Sequence, residues 1–230
     1  MTAKTKRPAK ESRKRLLIVD DHPMMRQGLA QLINNELDLT VCGEAENAHQ
    51  ALEAVKKLNP TLVLVDITLP GKSGLELIKD IQLMHPGLAV LVISMHDESL
   101  YAERVLRAGG RGYIMKQEGG KKLMQAIRHV LSGQVYVSEK MSARILEIFS
   151  GRRPETGGSL VEKLTDREFE VFQLIGRGMS TRDIAQYLHL SAKTVEVHRV
   201  NIKEKLTLKT ASELIRYAVR WVESQNTGPN

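Results

Sequence analysis

Five polar residues stand just after successive short apolar runs of the sequence. Crowded carboxylates repel one another and need a cation, and Mg²⁺ prefers hard oxygen ligands of this kind. One carboxylate could then attack a phosphoryl group, with an ammonium and a hydroxyl group holding the phosphate oxygens. The five are Asp20 and Asp21 after the first run, Asp66 at the end of the third, Ser94 at the end of the fourth, and Lys116 after the fifth.

The apolar runs predict strands, and amphipathic stretches between them predict helices. Two runs are continuously apolar, which is typical of strands buried on both faces. Five strands alternating with five helices indicate an α/β doubly wound parallel sheet. The predicted strands are Arg15–Val19, Leu39–Gly43, Leu62–Asp66, Ala89–Ser94 and Gly112–Met115, and the predicted helices are Met24–Asn35, Ala48–Leu58, Gly74–Met84, Leu100–Ala108 and Lys121–Leu131.

Strand order decides whether the five residues meet. Ligands of open α/β sheets bind outside the carboxyl ends of the strands, where the strand order reverses. With the order 2-1-3-4-5, all five residues share one crevice. Each alone would be an ordinary turn residue, helix cap or solvated side chain, but five such placements in order favour a joint site. We expect Asp66 to be the nucleophile, Lys116 to pair with phosphate oxygens and Ser94 to donate a hydrogen bond.

The C-terminal part contains four helical patterns and no strand pattern. Capping boxes at Thr165–Glu168 and Ser180–Asp183 open two of them, and Ser191 is a candidate cap for a third. Helices over Ser180–Leu190 and Ser191–Leu208 form a helix-turn-helix, whose second helix lies in a DNA major groove. The alternative is a small helical bundle with a solvated charged face. The candidate DNA-contacting residues are Lys193, Thr194, Glu196, Val197, His198, Arg199, Lys203 and Lys205.

Composition limits the other classes. The net charge is +7, but residues 1–15 alone carry seven basic and one acidic side chains, so charge is weak support for DNA binding. The apolar runs are too short to cross a membrane, and the single cysteine excludes an intramolecular disulfide. We expect a cytoplasmic protein with no membrane partner. The expected divisions are a disordered tail over 1–14, an α/β domain over 15–131, a linker over 132–159 with one possible helix at Glu139–Phe149, an all-α domain over 160–224 and a disordered end over 225–230.

The N-terminal motifs resemble the receiver domain of bacterial two-component response regulators. They are Leu17–His22, Asp66–Gly74 and Gly112–Lys116. The resemblance implies a flavodoxin-like fold in which Asp66 accepts phosphate from a histidine kinase. It further implies that Asp20, Asp21, Asp66 and the main-chain carbonyl of Thr68 hold Mg²⁺, and that Ser94 and Tyr113 form a switch pair.

The C-terminal motifs resemble the LuxR-type output domain of the NarL/FixJ class. They are Leu164–Glu168, Gly178–Ala185 and Leu190–Arg199. The resemblance implies a four-helix domain whose third helix reads double-stranded DNA and whose fourth helix supports a homodimer of the phosphorylated protein. The candidate dimer residues are Ala211, Leu214, Ile215, Ala218 and Val222.

Two rival functions remain. Haloacid-dehalogenase-type phosphatases share most of these groups but carry a second Asp two residues after the nucleophile, as general acid or base. Thr68 stands there and cannot do that work at neutral pH, so we do not expect an enzyme. The other rival is a regulator whose receiver is a phosphorylation-independent interaction module. The intact set of acidic residues, Ser94 and Lys116 favours a phosphorylation-activated transcription regulator instead.

Overall fold

The structure is a computed structural model that describes residues 13–149 and 160–226. It consists of an α/β domain followed by an all-α domain. The expected disordered tail falls mostly on residues 1–12, and the linker residues 150–159 and residues 227–230 also lie outside the described part of the chain. No helix in the described residues is long and apolar enough to cross a membrane.

The α/β domain is built on a five-stranded, all-parallel sheet. Its strand order is β2-β1-β3-β4-β5, which confirms the predicted 2-1-3-4-5 order. The elements are β1 (Lys14–Val19), α1 (Pro23–Asn34), β2 (Leu39–Ala45), α2 (Ala48–Leu58), β3 (Leu62–Val65), α3 (Gly74–Met84), β4 (Ala89–Ser94), α4 (Glu98–Arg107), β5 (Gly112–Met115) and α5 (Gly119–Leu131).

Alternate residues of each strand enter different cores on the two faces of the sheet. Leu17 and Val19 of β1 pack with α2, α3 and α4, whereas Leu16 and Ile18 pack with α1 and α5. All four side chains are fully buried. Burial on both faces explains why the strands are continuously apolar.

The loop after β3 is fixed by a close backbone approach. A Cβ atom on Gly74 would lie 2.2 Å from the carbonyl oxygen of Asp66 and 2.8 Å from Cα of Ile67. Only glycine allows that approach. Ser73 then begins α3 with a capping box shared with Glu76. These features hold Asp66 at the carboxyl edge of the sheet.

The all-α domain contains α7 (Asp166–Gly176), α8 (Thr181–Tyr187), α9 (Ala192–Lys205) and α10 (Ala211–Asn226). Capping boxes at Thr165 and Ser180 and an N-cap at Ser191 confirm the predicted helix starts. Helix α7 is the centre of the domain, and its residues from Asp166 to Ile175 are all buried. It packs against α8, α9 and α10.

Elements of the structure extend across several ends of the predicted divisions. Lys14 begins β1 rather than ending a tail, and α10 extends to Asn226. The start of the expected linker adds to the sheet, because Tyr113 N donates to Tyr136 O at 2.8 Å and Tyr136 N donates to Arg111 O at 3.0 Å. The next element, α6 (Glu139–Phe149), packs on α4. Residues 132–149 therefore belong to the α/β domain.

The two domains dock through α3 and α4 on one side and α7 on the other. Arg104 donates to the carbonyls of Leu164 and Val161 and to the Asp166 carboxylate, each at 3.1 Å. Its guanidinium also lies 4.0 Å from the centre of the Phe169 ring. One apolar core runs continuously from the sheet into the all-α domain. The docked face thus includes α7, while Lys193, Glu196 and Val197 on the outward side of α9 are exposed.

Candidate functional site

The predicted acidic residues meet at the carboxyl edge of the sheet. Asp20 and Asp66 are buried, whereas Asp21 is partly exposed. One ligand atom from each of Asp20, Asp21, His22 and Asp66 lies within 4.8 Å of the others. We call these four residues the acidic pocket. His22, which sequence reasoning left unassigned, joins it through the Asp-Asp-His order.

Lys116 closes one side of the acidic pocket. Its Nζ lies 2.7 Å from Oδ2 of Asp20 and 2.7 Å from Oδ2 of Asp66. The lysine side chain is 5% exposed, so these are charge-assisted hydrogen bonds shielded from water. Burial raises the pKa of Asp66 to about 6, although Lys116 opposes the rise. Burial alone would lower the pKa of Lys116, but the carboxylates of Asp66 and Asp20 raise it.

The loops after β3 and β4 are tied together beside Asp66. Thr68 N donates to Oδ1 of Asp66 at 3.3 Å, and Oγ1 of Thr68 lies 3.1 Å from Nε2 of His96. The buried hydroxyl of Ser94 accepts from His96 N at 3.2 Å. Tyr113 is buried and donates from its hydroxyl to the carbonyl of His96 at 2.8 Å. His96 thus connects the predicted switch residues, and no sequence motif singled it out.

The acidic pocket fits a hard divalent cation. Oδ1 of Asp21 is shielded from solvent and lies 2.7 Å from Nδ1 of His22. The donor set is made of carboxylate oxygens, which Mg²⁺ prefers. Lys116 neutralises part of the negative charge, and a cation would compete with the His22 imidazole for Oδ1 of Asp21.

Helix α9 presents several of the candidate DNA-contacting residues to solvent. Glu196 accepts from the Thr181 hydroxyl at 2.7 Å and lies 3.6 Å from Nε of Arg199. Val197 is 51% exposed, which suits contact with a base edge or a thymine methyl group. Lys193 is also exposed.

Other candidates on α9 face their own domain. Nζ of Lys205 lies 2.6 Å from the buried Glu168 carboxylate and holds α9 against α7. His198 is half-buried with Nδ1 shielded from solvent, and burial lowers its pKa. Thr194 lies 2.7 Å from the hydroxyl of the helix cap Ser191, and Lys203 is half-buried. These side chains hold α9 in its own domain and leave little of their surface for contact with DNA.

The candidate dimer residues divide in the same way. Leu214 and Ala218 are fully buried, with Ala218 beside Gly176 of α7, so they support α10 from inside and do not face a partner. Ile215 is 43% exposed and Ala211 is exposed, while Val222 is half-buried. Helical periodicity identified the apolar stripe but could not separate its inner from its outer edge.

Fold and site together define a phosphate-accepting receiver joined to a helix-turn-helix domain. Residues 16–128 match the response regulator receiver domain family, and residues 162–218 match the LuxR family of bacterial regulatory proteins. The chain therefore belongs to the two-component response regulators with a LuxR-type output domain. It is a DNA-binding transcription regulator.

Similar proteins cover between 60% and 90% of the chain. The oxygen regulatory proteins NreC of Staphylococcus haemolyticus and Staphylococcus aureus are 33% and 34% identical over 210 residues, which is 90% of this chain and 97% of each relative. A LuxR-family response regulator from Aurantimonas is 32% identical, with a TM-score of 0.56 over 60% of this chain and 99% of its own. RcsB of Salmonella enterica, solved bound to the rprA promoter with a phosphomimetic, is 26% identical, with a TM-score of 0.59 over 90% of this chain and 99% of its own.

Proposed function

We propose that Asp66 accepts a phosphoryl group from a histidine kinase and that this modification controls DNA binding by the output domain. The observation that carries the proposal is the buried Asp66 carboxylate, held 2.7 Å from Lys116 beside Asp20. This is the arrangement that phosphoryl transfer requires, because positioning and charge neutralisation supply most of the catalysis.

The chemical step is a displacement at phosphorus. A carboxylate oxygen of Asp66 attacks the phosphorus of the phosphohistidine, the P–N bond breaks, and the imidazole leaves with the electron pair. Lys116 neutralises the phosphate oxygens, and the Ser94 hydroxyl donates to one of them. Mg²⁺ held by Asp20, Asp21, Asp66 and the Thr68 carbonyl would supply further charge neutralisation.

The signal leaves the site through the loop after β4. Ser94 must turn its hydroxyl toward the phosphate, which affects the bond that it accepts from His96 N. Tyr113 holds the carbonyl of the same residue. A shift of His96 therefore reaches both switch residues and Tyr101, whose ring centre lies 5.0 Å from that of His96. Tyr101 belongs to α4, on which the output domain is docked.

DNA is contacted by the exposed side of α9. Lys193 supplies charge for phosphates, and the exposed Glu196 and Val197 are the candidates for reading base edges. The Arg199 side chain is only 14% exposed and supports this surface beside Glu196. RcsB supports a dimer on DNA, since one of its structures is described as two dimers bound to two parallel DNAs. We assign the dimer contact to Ala211 and Ile215, with Val222 at its margin. Action on chromosomal DNA implies a cytoplasmic location.

Phosphoryl uptake tests the proposal. Wild-type protein is incubated with acetyl phosphate and Mg²⁺, and the modified residue is located by mass spectrometry. We expect one hydroxylamine-labile phosphoryl group on Asp66, which is absent in Asp66→Asn. Asp80→Asn, at a partly exposed carboxylate of α3, is the matched control and retains uptake. Modification of another residue at the wild-type rate in Asp66→Asn would contradict the proposal.

A further inference from the structure

The turn between α8 and α9 lies against the acidic pocket. Nε2 of His189, in that turn, is 3.3 Å from Oδ2 of Asp21. His189 has a φ of 52°. The contact joins the helix-turn-helix motif directly to a proposed metal ligand of the other domain.

A second side chain ties the same turn to the loop after Asp66. Nη2 of Arg167 donates to the carbonyl of Gly71 at 3.0 Å and to the carbonyl of Leu188 at 3.2 Å. The Arg167 side chain is 6% exposed. The turn therefore contacts both loops that border the acidic pocket, one through His189 and one through Arg167.

Both carboxylate oxygens of Asp21 already face imidazole nitrogens. Nδ1 of His22 lies 2.7 Å from Oδ1, and Nε2 of His189 lies 3.3 Å from Oδ2. Nζ of Lys116 donates hydrogen bonds to Oδ2 of Asp20 and to Oδ2 of Asp66. A cation that approaches Asp21 must compete with one imidazole or the other. Because Mg²⁺ prefers oxygen ligands, it would bind the Asp21 carboxylate and not the His189 nitrogen. Mg²⁺ binding therefore does not stabilise the contact between His189 and Asp21.

We propose that His189 competes with Mg²⁺ for the carboxylate of Asp21, so that filling the acidic pocket loosens the docked output domain. The inference rests on the proposed function, because it uses the same pocket. Its consequence is reciprocal: if the docked turn weakens Mg²⁺ binding, Mg²⁺ weakens docking by the same factor. His189 is a positioning residue, since it touches neither the phosphoryl group nor DNA in this role.

The test compares two glycine substitutions. His189→Gly removes the imidazole at a position whose positive φ glycine tolerates, so the fold is retained. Thr207→Gly is the matched control, because Thr207 is exposed, follows α9 as His189 follows α8, and has a φ of 57°. Calorimetric titration with Mg²⁺ alone, at constant ionic strength, measures affinity in the full chain. Small-angle X-ray scattering measures the radius of gyration with and without Mg²⁺.

We expect His189→Gly to bind Mg²⁺ about two- to fivefold more tightly than wild type, the range for the loss of one partly exposed hydrogen bond. Thr207→Gly should match wild type. Mg²⁺ should expand the wild-type protein, and His189→Gly should already be expanded without it. Equal Mg²⁺ affinity in all three proteins would overturn the role of His189 and leave the proposed function standing. Absence of Mg²⁺ binding in all three would overturn both.

Discussion

Nζ of Lys116 lies 2.7 Å from Oδ2 of Asp66 in a pocket that also buries Asp20. Lys116→Met would leave two buried carboxylates without their cation. We expect the free energy of unfolding to fall by about 3 kcal/mol at neutral pH, as for other broken buried ion pairs. Millimolar Mg²⁺ should restore part of the loss, because it replaces the missing positive charge. Urea denaturation with and without Mg²⁺ measures both effects.

Lys122→Met is the control for that measurement. Lys122 makes an exposed ion pair with Glu118 at 2.9 Å, and such surface pairs contribute little. Its unfolding curve should be close to wild type. If Lys116→Met were as stable as Lys122→Met, Lys116 would not neutralise the negative charge of the acidic pocket to any measurable degree.

Arg104 is the cation that holds the two domains together most directly. Arg104→Ala removes its hydrogen bonds to Val161, Leu164 and Asp166. We expect the domains to separate, which changes the fluorescence of the single Trp221 because that ring lies in the cleft between the domains. DNA binding without phosphodonor should rise.

Arg107→Ala is the comparison for Arg104→Ala. Arg107 also lies on α4 but pairs with Glu103 of the same helix. It should leave fluorescence and DNA binding unchanged. Equal effects of the two variants would mean that the domain contact does not depend on Arg104.

Glu170 makes the folded chain sensitive to pH. Burial raises its pKa to about 7, against the opposing charge of Arg167, and Glu76 and Asp166 add to the rise. The folded state therefore holds a proton that the unfolded chain releases near pH 4.5. Stability from this group is complete below pH 4.5 and is lost as pH rises toward 7.

Glu170→Gln isolates that contribution. Between pH 4.5 and 8, the stability of wild type relative to Glu170→Gln should fall by about 3 kcal/mol. Thermal denaturation across this range supplies the comparison. A relative stability that rises with pH would show that the ion pair with Arg167 outweighs burial.

Tyr113 contributes to the site through one hydroxyl. Tyr113→Phe removes the hydrogen bond from the Tyr113 hydroxyl to the carbonyl of His96. The buried carbonyl then loses this donor. The free energy of unfolding should fall by about 1 kcal/mol, and the response of DNA binding to phosphodonor should weaken. Tyr187→Phe, at a 41% exposed ring, should change neither. Full retention of the response in Tyr113→Phe would exclude the hydroxyl from the switch.

The receiver site was predictable because a few neighbouring residues are enough to show where each strand ends. Apolar runs that end in Asp20, Asp66 and Ser94 reveal both the strand and its carboxyl end, and a parallel sheet brings those ends together. The Thr165 and Ser180 caps were predictable for the same reason, since a capping box spans four residues. The strand order and the helix starts at these two caps were therefore confirmed.

The contacts between the two domains correspond to no local pattern in the sequence. Arg167 and His189 belong to α7 and the turn after α8, and their own neighbours in sequence give no indication of Gly71 or Asp21 as partners. Glu170 and Gln173 of α7 are polar yet buried, and Gln173 accepts from the Tyr101 hydroxyl of the receiver at 3.1 Å. Hydrophobic periodicity shows which face of a helix is apolar. A polar interface between domains produces no repeating pattern in the sequence.

Phosphodonor-dependent DNA binding tests the central claim most directly. Wild type and Asp66→Asn are compared with Mg²⁺, with and without beryllofluoride, against genomic fragments at one salt concentration. Tighter, sequence-selective binding only in the activated wild type is the predicted result. Equal binding with and without the phosphate mimic would contradict it, leaving a DNA-binding domain whose receiver acts as a docking module.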